Sequence, residues 1–152
     1  MFADTIEHFA KMASAKVAAL KHNPLGFFIG SMMAGAYVGF GIILIFIIGS
    51  TAHPAYQKLV MGTSFGIALT LVVFAGSELF TGHTMYMPIG WLQKTVGARD
   101  VLGLWSFVWL GNLAGSAGLA ALFVLGGAAG MVREPTSFLY QVAAAKMNAS
   151  II

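Results

Sequence analysis

An uncharged run of about 25 residues, Leu25 to Gly49 (LGFFIGSMMAGAYVGFGIILIFIIG), constrains this chain more than any other feature. A helix rises about 1.5 Å per residue and the hydrocarbon layer is about 30 Å thick, so about 20 apolar residues suffice to cross it. This run does so with some tilt. Pro24 sits just inside its start, where a missing N–H does no harm. Gly26, Gly30, Ala34, Gly35, Gly39 and Gly41 recur at near-helical spacing and give a smooth face for a neighbouring helix.

The composition excludes the soluble alternatives. The chain is 59% hydrophobic and 9% charged, with a mean hydropathy of +0.86, whereas a soluble domain is about 25% charged. Lipid takes the place of the missing charged shell. A net charge of +3 and a pI of about 9.4 do not indicate nucleic acid, because no two lysines or arginines are adjacent. Without cysteine there is neither a disulfide framework nor a thiolate metal site. The first apolar run follows Lys11, Lys16 and Lys21 and is too long for the core of a cleaved signal, so it is a retained span.

Residues 1–23 place Phe2, Ile6, Phe9, Ala13, Val17 and Leu20 at steps of three and four, the pattern of an amphipathic helix that lies in the headgroups or packs under the bundle. The membrane domain is expected over 25–152. After the turn STAHPAYQK a second apolar region runs from 59 to about 92, roughly 34 residues, too long for one helix and polar in its middle. A helix broken near 76–84 explains both facts. After QKTVGARD, where Asp100 can cap the next helix, a third span covers 101–130 with Gly111, Asn112, Gly115 and Gly118 in a line. Residues 136–152 read as the start of a further helix, and the apolar Ile151-Ile152 end resembles a span cut at its first turn. Three spans put Lys11, Lys16, Lys21, Lys94 and Arg99 on one side against Lys58, Arg133 and Lys146, which places the amino terminus in the cytoplasm. The fold expected is an all-α integral membrane bundle of three spans, the second broken, behind an amphipathic helix.

The segment AGSELFTGHT, residues 75–84, carries an acid, an imidazole, three hydroxyls and two glycines near mid-membrane. Polar residues at that depth are functional by default. Irregular backbone is allowed there only against protein or a wet cavity, because unpaired N–H and C=O groups cost several kcal/mol in hydrocarbon. N–H groups freed at the start of a half-helix face an anion without a fixed countercharge. The bland alternative is a glycine kink whose hydroxyls satisfy nearby carbonyls. Glu78 is expected to be protonated or tied to loop N–H groups, in a structural role. His83 is either a proton carrier or a hydrogen-bonding brace. Phe65 and Leu69 share a helix face at i and i+4, a spacing that fits packing as well as a constriction. One Glu, one His and no cysteine within the spans offer no acid–base pair, activated nucleophile or metal ligand set, so no enzyme, metal or cofactor is expected.

The segments NPLGFFIGSMMAGAYVGFGIIL, MGTSFGIALTLVVF, AGSELFTGHT and WLGNLAGS, in this order and separation, resemble the formate/nitrite transporter family, closest to its nitrite-channel branch. The resemblance covers nearly the whole chain. It implies a pentameric, aquaporin-like bundle in the inner membrane of a bacterium, each protomer with its own pore and six spans in two inverted repeats. On that template Thr81 looks like the loop threonine at the narrow centre. Phe65 and Leu69 fall on the apolar constriction, Asn112 on the polar position of the third span, and Lys146 on the vestibule lysine that draws in the anion. Gly76, Ser77, Glu78, Leu79, Phe80, Gly82 and His83 shape the loop. The implied solute is nitrite, then formate, and passage as the neutral acid is favoured because a bare ion in a dry neck suffers several kcal/mol. Only the first inverted repeat is present, and His83 does not match the family's central histidine. The chain therefore reads as one half of a pore, and its rival reading is a non-transporting subunit that packs against full-length members.

Overall fold

The computed structural model describes residues 2–149, and these form helices joined by short turns. They are α1 (Phe2–His22), α2 (Pro24–Thr51), α3 (Gln57–Phe74), α4 (Phe80–Leu92), α5 (Ala98–Phe123), α6 (Ala129–Arg133) and α7 (Phe138–Met147). A π turn, Val124–Ala128, joins α5 to α6, with Gly127 at φ 103°. Among the described residues, three helical stretches are long and apolar enough to cross a membrane: Pro24–Thr51, Gln57–Phe74 and Ala98–Met131, the last kinked at Gly127. Phe74, Leu125 and Val73, which are 88%, 84% and 74% exposed, show an outer surface suited to hydrocarbon or to further protein.

Helix starts and stops follow local chemistry. The Asn23 side chain accepts the Gly26 N–H at 2.9 Å, and Pro24 occupies the first turn of α2. At α5 the Asp100 carboxylate reaches back to accept the Gly97 N–H at 3.1 Å. The break in the second membrane region is shorter than its polar composition indicates. It spans residues 75–79, not 76–84, and Thr81, Gly82 and His83 belong to the first turn of α4. The helix restarts early because a side chain from α5 supplies the acceptor for its first N–H, as described below. The Ile151-Ile152 end lies outside the described residues.

Small residues set the packing. Ser31 lies against Gly111, Met32 against Gly115 and Gly39 against Leu119, so α2 and α5 run side by side in the same direction. A methyl group on Gly35 would overlap the Asn112 backbone, and one on Gly115 would overlap the Met32 carbonyl. Backbone contact this close requires glycine. α3 meets α2 where Gly41 faces Ala68 and the Phe65 ring. α1 is packed beneath the bundle: Ala13 touches Gly90 of α4, and the Thr95 hydroxyl donates to the Ala10 carbonyl at 3.1 Å. Ala13, Val17, Phe27, Tyr86, Met87, Val96, Val101, Leu104 and Val108 form one buried cluster, so the core joins α1, α2, α4 and α5 at the end where α2 begins. α7 sits at the opposite end, with Phe138 edge-on to Phe46 at 6.3 Å.

The two glycine environments on α5 give a paired prediction. Gly115→Ala overpacks the α2 contact and lowers stability by about 1–3 kcal/mol. Gly118→Ala enters open space and is neutral or stabilising by up to about 1 kcal/mol. Thermal unfolding of both variants in the same detergent separates them.

Candidate functional site

The site is the break between α3 and α4. α3 ends in a Schellman motif: the Gly76 N–H donates to Val73 O at 3.2 Å and the Ser77 N–H to Val72 O at 3.0 Å. This closure puts Gly76 at φ 62°, a left-handed conformation that a side chain disfavours. Glu78 N–H then donates to Gly30 O of α2 at 3.2 Å, Leu79 is extended, and α4 begins at Phe80.

One side chain stitches this loop. Asn112, on α5, accepts the Phe80 N–H through Oδ1 at 2.9 Å, and its Nδ2 donates to Glu78 O at 2.9 Å and to Ser31 O at 2.8 Å. It thus binds both flanks of Leu79 and α2 at once. Both Nδ2 hydrogens and an Oδ1 lone pair are occupied. Asn112 therefore holds the loop through its amide rather than presenting that amide to a solute. A cavity of about 210 Å³ opens beside it, bordered by Val38, Leu79, Trp109 and Leu113.

A charged cluster supports the loop from below. The Lys16 ammonium on α1 donates to Glu78 Oε1 at 2.5 Å, and His83 Nε2 lies 3.1 Å from Glu78 Oε2. His83 Nδ1 is 2.7 Å from the Tyr86 hydroxyl, and the Trp105 indole N–H donates to the His83 carbonyl at 3.2 Å. The Glu78 carboxylate is thus neither isolated nor bonded to loop N–H groups. It joins α1 to the first turn of α4, while Asn112 takes the backbone role expected of it. An ion pair this enclosed survives only when both charges are paired and hydrogen-bonded.

The other sequence-derived residues divide by exposure. Thr81 is exposed one residue beyond the Phe80–Asn112 bond, and its N–H makes no hydrogen bond among the described residues. Leu69 is 52% exposed, while Phe65, half-buried, leans toward Gly41. Leu79 and Phe80 are half-buried, Phe80 lying edge-on to Trp105 at 6.3 Å. Gly82 is half-buried in the first turn of α4. Lys146 is exposed on α7 and takes no part in the loop cluster. Among the described residues, no group of three His, Cys, Asp or Glu side chains could hold a metal ion.

Lys16, Tyr86, Trp105 and Ser31 are the site residues that sequence reading passed over. A signal existed for Lys16, which lies three residues from Ala13 and four from Leu20, within the apolar stripe of α1. A lysine there needs a buried partner.

The formate/nitrite transporter family model matches residues 4–152. The nitrite transporter NirC of Salmonella typhimurium is 49% identical over 150 residues, covering 98% of this chain and 55% of that protein. The Escherichia coli NirC shows the same values. A probable formate transporter of Methanothermobacter thermautotrophicus is 44% identical over 114 residues, 70% of this chain and 41% of the relative. A solved FNT family ion channel superposes with a TM-score of 0.88 at 45% identity, covering 97% of this chain and 59% of that one. The chain spans about half the length of the curated relatives it matches.

Asn112→Ala leaves the Phe80 N–H and the Glu78 carbonyl without a protein partner, while the Ser31 carbonyl keeps its helical N–H within α2. It is expected to lower stability by at least about 2 kcal/mol, given about 1–3 kcal/mol for each buried group left unsatisfied. Thermal unfolding together with faster amide exchange at Phe80 checks it.

Proposed function

The chain belongs to the formate/nitrite transporter family, and on that premise we propose that it forms one half of a membrane pathway for a small monovalent anion, nitrite first and formate next. The observation that carries this reading is the stitched break, which leaves Thr81 exposed in the first turn of α4, while Leu69 is exposed on α3. A half-helix N-terminus carries partial positive charge and can hold an anion weakly without a fixed countercharge. Weak binding of that kind allows release on the far side.

In this account a second copy of the chain, packed against the exposed side of the break, supplies the other half and closes the pathway, since loop backbone at this depth cannot face hydrocarbon. Phe65 and Leu69 form a dry constriction. Lys146, at the opposite end from α1, draws the anion in and favours its protonation, and the neutral acid crosses a neck in which a bare ion suffers several kcal/mol. A cytoplasmic amino terminus is supported by five lysines and arginines on the α1 side against three on the other. Assembly as a pentamer in a bacterial inner membrane, and the absence of enzymatic activity, complete the reading. The relatives named above are transporters and channels. The rival reading, a non-transporting subunit, is not supported over this one by the relatives named above.

Reconstitution into lipid vesicles tests the proposal. Nitrite flux above that of empty vesicles is expected, falling about ten-fold in Thr81→Val, which removes one hydrogen bond to an anion worth about 1.5 kcal/mol or more. Flux equal to that of empty vesicles would overturn it.

A further inference from the structure

The buried group that this pathway leaves unused is the His83 imidazole, which has no exposed surface. Its neighbours come from every surrounding element. Glu78 faces it from the loop, Lys16 of α1 holds the other Glu78 oxygen, and Tyr86 faces it from α4. From α2 comes the uncharged Phe27 ring, at 6.1 Å, and from α5 Trp105, whose N–H is spent on the His83 carbonyl.

Both ring contacts work in either charge state. In the neutral ring, Nε2–H donates to Glu78 and Nδ1 accepts from the Tyr86 hydroxyl. When Nδ1 takes up a proton from solvent, Nδ1–H donates to the same hydroxyl oxygen. Only the hydroxyl hydrogen has to turn, so no heavy atom is displaced. The charge of the cluster changes all the same. Lys16 and Glu78 offset each other, and a protonated His83 leaves one net positive charge behind the start of α4. Thr81 and His83 lie two residues apart in the same turn, one exposed and the other buried.

We propose that His83 is a proton-regulated charge beneath the anion path: its protonation turns the Lys16–Glu78–His83 cluster from neutral to positive and raises anion occupancy at Thr81. This rests on the pathway proposed above. A unit charge on the far face of a helix, about 12 Å from the anion, changes anion occupancy about ten-fold at an effective permittivity of about 20. The effect is separate from protonation of the solute itself, because it acts on the protein.

Two measurements test the inference on the full chain in lipid vesicles. Nitrogen-15 NMR of histidine-labelled protein, with His83→Asn identifying the His83 signal among His8, His22 and His53, reads the ring directly. The ring is expected to pass from two protonated nitrogens to one as the pH is raised. Tyr86→Phe should move that transition while leaving the chain folded. The second measurement is the ratio of wild-type to His83→Asn nitrite flux at each pH, in which the solute's own protonation cancels. It is expected to rise about ten-fold from the alkaline to the acid end. A ring fixed in one state throughout, or a ratio flat with pH, overturns the inference. A ring that titrates in vesicles passing no nitrite at any pH refutes the pathway, and with it the role of the charge, but not the titration.

Discussion

The rest of the structure depends on one requirement: backbone polar groups at mid-membrane must find partners inside the protein. A continuous helix meets it automatically, and a broken one does not. Here the Asn112 amide meets it on either side of Leu79, taking the first N–H of α4 and giving its own hydrogens to the carbonyls of Glu78 and Ser31, and the Thr81 N–H is left open among the described residues. That geometry needs α5 pressed against α2 with almost no side chain between them, which Gly35, Gly111 and Gly115 provide. The glycine stripe therefore does more than pack helices. It sets the depth and reach of the residue that holds the break.

The second requirement is charge. Glu78 is enclosed, and an unpaired carboxylate there would be strongly unfavourable. Its partners come from two directions, Lys16 on α1 and His83 on α4. The amphipathic helix is consequently part of the site, fixed by the Lys16 pair, by Ala13 against Gly90 and by the Lys21–Asp100 contact at 2.8 Å. The last of these is exposed and contributes little on its own. Removing Lys16 would strand Glu78, whereas removing Lys21 would leave Asp100 in water.

Much of this was legible in the sequence because a bilayer makes simple demands. Uncharged length gave the first span as 25–49 against an observed Pro24–Thr51, and polar residues inside an overlong apolar region located the break. The edges of the break were less legible, since the bond that restarts α4 at Phe80 comes from a residue 32 positions away. Pairing was harder still. Nothing local in AGSELFTGHT says that Glu78 turns toward α1, and the lysine that receives it declares itself only by its place in an apolar stripe. The π turn at Val124–Ala128 left no sequence mark, because two adjacent glycines in a membrane helix read equally well as packing. Phe65 and Leu69 gained a role through resemblance to a family, not through spacing, which fits ordinary packing as well.

The central claim is that the break presents Thr81 to water and to a passing anion at a depth where lipid would otherwise be. The chain has no cysteine, so a single Thr81→Cys gives an unambiguous probe. In vesicles, a small water-soluble thiol reagent should modify that cysteine, nitrite should slow the modification, and Leu122→Cys on the exposed apolar flank of α5 should not react. A Thr81→Cys chain that is folded yet inert to the reagent, or modified at the same rate with and without nitrite, would contradict the account.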